Sequence, residues 1–172
     1  MPAINPYFRP DQHLRLAHVE RALSACPDRY FVTLTTKRLL RSETFTAEVA
    51  ETFKRVNGKL FGTAFKRGRN GKQVRLVTMS VQERTANDGL HTHMLVGVPE
   101  GALELKANPC PVPVPELIIR TWIDGDPAYR RREAQDVREI HDFSGVRSYI
   151  SKDIWDLDDF AERFDVLNTY LP

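Results

Sequence analysis

Apolar and polar positions along this 172-residue chain change period from block to block, and the changes mark its elements. Asp11 to Ala25 carries Leu14, Leu16, Val19 and Leu23 as an imperfect helical stripe, and Cys26-Pro27-Asp28 stops it. Tyr30 to Thr36 reads as a strand by alternation and by β-branched and aromatic content. A second helix runs through Ala47, Val49, Phe53 and Val56, with Ser42 or Thr44 as its cap and Gly58 as a break point. Val74 to Glu83 and Leu90 to Val98 read as strands joined through Asn87-Asp88-Gly89, which is strong turn chemistry. Pro109 to Pro115 cannot pair as a central strand and serves as a connector. Glu116 to Ile123 forms a short helix, and Gln135 to Ile140 alternates as a further strand. Ser144 caps a helix bearing Tyr149, and residues 156–168 close the chain as an acidic helix.

From Tyr30 onward the order is strand, helix, strand, strand, helix, strand. That order predicts an α+β fold: a central antiparallel sheet of palm or ferredoxin-like, split βαβ type with helices packed on it. The length suits one domain over 1–172, with a core from about 28 to 155.

Composition adds three points. No apolar run approaches a membrane span or a signal-peptide core, so no membrane partner is expected. Cys26 and Cys110 form no paired motif, which fits a reducing cytoplasm. Residues 153–172 hold six acids against the single Arg163, leaving a basic body compatible with a nucleic-acid partner.

The candidate chemistry starts at His91 and His93. A strand's side-chain period of two points both imidazoles from one face, roughly 6.5 Å apart along the chain. A hairpin folded about Asn87 sets Glu83 across from His91 on that face, giving three ligands for one divalent ion. Downstream, Tyr149 and Lys152 stand i, i+3 on a helix and share a face. A phenol with a pKa near 10 is a poor nucleophile until a cation favours the phenolate or the electrophile is polarised. Lys152 supplies the first effect, and a metal on Glu83, His91 and His93 the second. Two basic clusters are expected to hold phosphates: Lys66, Arg67, Arg69 and Lys72, and then Arg130, Arg131 and Arg132.

Taken together, these segments resemble the HUH endonucleases, in particular the one-tyrosine rolling-circle replication initiator (Rep) proteins. Phe31 to Thr35 looks like the family's first motif, and His91-Thr92-His93 like its histidine–hydrophobe–histidine motif, with threonine in the middle as a departure. Tyr149-Ile150-Ser151-Lys152 looks like the Tyr-x-x-Lys motif, and Glu83 falls where many members keep a carboxylate ligand. The resemblance spans about residues 30 to 153. It implies a Mg²⁺ or Mn²⁺ ion and single-stranded origin or hairpin DNA as substrate. It implies a covalent 5′-phosphotyrosine with a free 3′-hydroxyl, and a host helicase and polymerase as onward partners. No Gly-x-x-x-x-Gly-Lys-Ser/Thr segment occurs, so the chain carries no P-loop helicase.

Rival readings use the same residues differently. A single-strand transposase or a mobilisation relaxase shares the tyrosine chemistry. A metal-dependent phosphodiesterase would use water as nucleophile. A non-catalytic nucleic-acid binder on a ferredoxin-like sheet would need stacking aromatics on one face, whereas Tyr30 and Phe31 are neighbours and face opposite sides.

Overall fold

The computed structural model describes residues 10–67, 73–84, 89–142 and 165–172, with backbone alone for 10–16. Its elements are α1 (Pro10–Ser24), β1 (Asp28–Thr35), α2 (Ser42–Phe61), α3 (Thr63–Lys66), β2 (Val77–Arg84), β3 (Leu90–Val98), α4 (Val114–Gly125) and β4 (Asp136–Glu139). The four strands form one sheet in the order β2-β3-β1-β4, every neighbouring pair antiparallel. Helix α2 therefore carries the chain from β1 past β3 to β2, and α4 carries it from β3 past β1 to β4. These are two split βαβ connections, and the α+β architecture expected from the element order is the one present.

Period two on β3 sorts the two faces. Leu90, Met94, Val96 and Val98 join Val32 and Leu34 of β1 under α2 and α4, with Phe45, Val49, Val56, Ile118 and Trp122 closing that core. The odd residues of β3 point the other way. There α1 lays Val19 and Leu23, with Cys26 just past its end, on Val77, Met79 and Leu95. At Gly97 the helix comes so close that an added Cβ would stand 2.7 Å from Cys26 Sγ. The described side chains of α1 pack on this half of the face. The half that holds His91 and His93 lies beyond it along the strands.

Three features differ from the sequence reading, two of them in α2. Helix α2 does not break at Gly58 but runs on to Phe61 and stops at Gly62, whose φ of 55° only glycine adopts readily. Burial of Val56, Leu60 and Phe61 on one stripe outweighs the roughly 1 kcal/mol that a helical glycine costs. Ser42 does not cap this helix: it is the first residue inside, and its hydroxyl donates to Gln82 Oε1 at 2.8 Å. The acidic helix expected over 156–168 does not reach its end, because Asp165–Asn168 forms a turn.

That turn is held by a buried polar network rather than by helical bonds. The Asp165 carboxylate accepts from the Asn168 backbone N–H at 3.1 Å and from Gln82 Nε2 at 3.1 Å. Gln82 also reaches Thr46 of α2, and Asn168 Nδ2 donates to the Thr46 carbonyl. Beyond the turn, Tyr170 and Thr78 exchange two backbone hydrogen bonds at 2.7 and 2.9 Å along the outer edge of β2. Among the described residues no helix is long and apolar enough to cross a membrane.

Candidate metal centre

The cluster follows from register. In the β2–β3 ladder Glu83 pairs directly with His91, as the hairpin turn predicts, and His93 follows two residues on. All three side chains emerge from the face on which α1 packs, farther along the strands than its described contacts. Their ligand atoms lie within 4.8 Å of one another. His91 Nε2 stands 2.9 Å from Glu83 Oε2, and His93 Nε2 stands 3.4 Å from the same oxygen. The imidazole rings meet edge to face, 4.7 Å between centroids. The side chains are 14–18% exposed, so the site is recessed but open to a ligand.

A third strand orients the set. Thr33 of β1 pairs with His93, and its hydroxyl lies 3.0 Å from His93 Nδ1. This contact engages Nδ1 and leaves Nε2 as the ring nitrogen that faces Glu83, the nitrogen a metal beside that carboxylate would take. Phe31 stacks on the His93 ring at 5.5 Å and 19°. The odd positions of β1 thus wedge His93 from one side. Two imidazole nitrogens and one carboxylate oxygen form a donor set of the kind that takes one divalent ion. The sequence marks Phe31 to Thr35 as a motif but gives neither Thr33 nor Phe31 a contact with the histidines. Their shared parity on β1 was legible, but not the register that brings them to His93.

The rest of the expected site residues divide. Tyr149, Lys152, Arg69 and Lys72 lie outside the described residues. Lys66 ends α3 and Arg67 follows it, both exposed, next to where β2 begins. The cluster sits where β2 ends, so the whole eight-residue strand separates these two cations from it. Arg131 and Arg132 are exposed in the connection from α4 to β4, on the cluster's end of the sheet.

Arg130 departs from the phosphate-binding role expected of it. It is 3% exposed and lies over the Trp122 ring at 3.6 Å from the centroid. Its guanidinium donates to the Trp122 carbonyl at 2.9 Å and pairs with Glu48 of α2. Burial pulls its pKa below the ordinary arginine value, while Glu48 and Asp126 pull it back. This is a cation that locks the α4–β4 connection onto two helices. Its neighbours Tyr129 and Arg131 are thereby turned outward.

The end of β1 is fixed just as firmly. Gln135 accepts from Thr35 N–H at 2.8 Å and donates to the Thr35 and Arg131 carbonyls. Trp122 Nε1 donates to the same Thr35 carbonyl at 3.1 Å. Since Thr35 pairs with His91, these bonds brace the strand that flanks the cluster. Comparison with protein-family models, with curated proteins and with solved structures returns no match for this chain.

Proposed function

We propose that this chain is a metal-dependent endonuclease that nicks and joins single-stranded DNA through a covalent 5′-phosphotyrosine. Initiation of rolling-circle replication in the cytoplasm is the role it suits best. The observation that carries this reading is the convergence of Glu83, His91 and His93 on one face of the sheet, with Thr33 holding His93. A fold whose strand order is that of a split βαβ sheet supports it.

In this reading Tyr149 is the nucleophile. Its phenol oxygen bonds to phosphorus as the bond to the 3′ oxygen breaks; the phenol proton is lost, and the 3′ oxygen leaves as a hydroxyl after taking up a proton. Lys152 favours the phenolate by its charge. Glu83, His91 and His93 would hold Mg²⁺ or Mn²⁺, which supplies Lewis-acid polarisation of a phosphate oxygen. Thr33 holds the His93 ring with Nε2 toward that position. Joining is the same step reversed, with the 3′-hydroxyl displacing the tyrosine.

The test is a denaturing gel of the protein incubated with labelled single-stranded origin DNA and Mn²⁺. A labelled protein band is expected, and it should vanish in Tyr149→Phe, which loses only the hydroxyl. Cleavage with no adduct in the parent protein would instead mean that water attacks.

A further inference from the structure

Beyond Thr35, β1 runs into Lys37-Arg38-Leu39-Leu40-Arg41, a stretch with three cations and no acid. All of it except Leu40 is exposed, and Leu39 is 74% exposed. The Lys37 backbone N–H donates to the Tyr129 carbonyl at 3.0 Å, which joins this loop to the α4–β4 connection. Gln135 ties the same connection, at Arg131, to Thr35. The two loops therefore form one surface at the end of the sheet where His91 and Glu83 stand.

The charges on this surface are unequal in kind. Arg38 is engaged, 3.5 Å from Asp126 and 3.9 Å from Glu48, and Arg132 comes 3.9 Å from Glu116. Lys37, Arg41 and Arg131 have no acidic partner among the described residues, although all three are exposed. Tyr129, whose carbonyl takes the Lys37 N–H and which precedes Arg131 by two residues, has a ring that is 47% exposed. Arg130, buried beneath, keeps the loop from rearranging.

Cations without partners, next to an exposed aromatic ring and an exposed leucine, suit a ligand that offers phosphates and bare ring faces together. Duplex DNA conceals its base faces; a single strand presents them. We infer that Lys37, Leu39, Arg41, Tyr129 and Arg131 form the surface on which a single-stranded nucleic acid lies as it enters the Glu83–His91–His93 cluster. Lys37, Arg41 and Arg131 take the phosphates, and Tyr129 stacks on a base. The inference rests on the nucleic-acid reading above and moves the main grip away from Lys66 and Arg67, which lie at the far end of β2.

The experiment is fluorescence anisotropy of a labelled oligothymidine with the full chain in EDTA, so that binding is read apart from chemistry. Lys37→Ala/Arg41→Ala/Arg131→Ala together should weaken binding roughly 10- to 100-fold and lower the salt slope by about 2, the value for three phosphate contacts on a single strand. Tyr129→Ala should weaken it about 5- to 100-fold with the salt slope unchanged, and Tyr129→Phe should bind like the parent. Lys66→Ala/Arg67→Ala should leave affinity within about twofold. All these side chains are exposed, so melting curves should coincide with the parent's.

Unchanged affinity in the triple variant overturns the inference. So does equal binding of oligothymidine and inorganic polyphosphate that Tyr129→Ala does not disturb, or binding to anionic phospholipid vesicles and not to the oligonucleotide. If binding follows the pattern above but Mn²⁺ yields no cleavage or adduct, the surface stands and the endonuclease reading falls.

Discussion

The Thr33 hydroxyl meets His93 Nδ1 at 3.0 Å across the β1–β3 ladder, and that contact sets which imidazole nitrogen faces Glu83. Thr33→Val keeps the shape and removes the hydrogen bond. Mn²⁺ affinity should drop by about 10- to 100-fold, the usual effect of losing a group that orients a ligand. Thr33→Ser should retain most of it. Isothermal titration with Mn²⁺ on both variants makes the comparison, and equal affinities would remove Thr33 from the site.

Metal should also appear as stability. A folded chain that binds Mn²⁺ gains about 2.7 kcal/mol at a concentration 100 times Kd, so its melting temperature should rise with added Mn²⁺ and fall back with EDTA. Glu83→Ala and His91→Ala should abolish the rise. A shift that survives in both variants would place the ion elsewhere.

Gly97 sets the distance between α1 and the sheet. Gly97→Ala would put its methyl 2.7 Å from Cys26 Sγ and 3.0 Å from Leu23 Cδ2, an overpacking worth about 1–3 kcal/mol. Cys26→Ala removes the nearer clash, so the double variant should lose less than the sum of the single ones. Urea denaturation of the four proteins in the cycle reads the coupling.

Burial raises the pKa of the Cys26 thiol, against the opposing pull of Arg29. The unfolded thiol, with an ordinary value near 8.5, ionises first as pH rises. The stability tied to the neutral thiol is therefore whole below about pH 8.5 and is lost as pH climbs through the folded-state value. Tyr30 shifts in the same direction, chiefly through burial, but an ordinary phenol titrates near 10. Between these values the alkaline loss of stability should shrink in Cys26→Ala. Denaturation midpoints at a series of pH values test it, and identical curves for parent and variant would deny Cys26 the role.

The sheet and the meeting of Glu83, His91 and His93 were legible in the sequence because both depend on short-range regularities. Period two gives the shared parity of His91 and His93, and a hairpin signal in the sequence between the strands points to the Glu83–His91 pairing that is observed. Thr33 was not legible as a partner, since it meets His93 across 60 residues and no local pattern encodes that register. Arg130 sits in an uninterrupted Arg-Arg-Arg run where nothing separates the buried cation from the exposed ones. Its partners, Glu48 and Trp122, come from two different helices. Asp165 belongs to a stretch whose acids look solvated. Its burial depends on Gln82 and Asn168, which the fold brings to it.

All three ligands belong to one hairpin, with Glu83 and His91 only 8 residues apart. Closing that hairpin costs little chain entropy, so the donors can meet early in folding, before distant strands have paired. Docking of β1 comes at a much larger loop-closure cost and brings Thr33 and Phe31 with it. The centre thus joins contacts of very different sequence separation, 8 residues for Glu83–His91 and 60 for Thr33–His93. A chain that has closed β2 onto β3 but not yet docked β1 would hold the ligands together while leaving His93 free to turn to the wrong nitrogen.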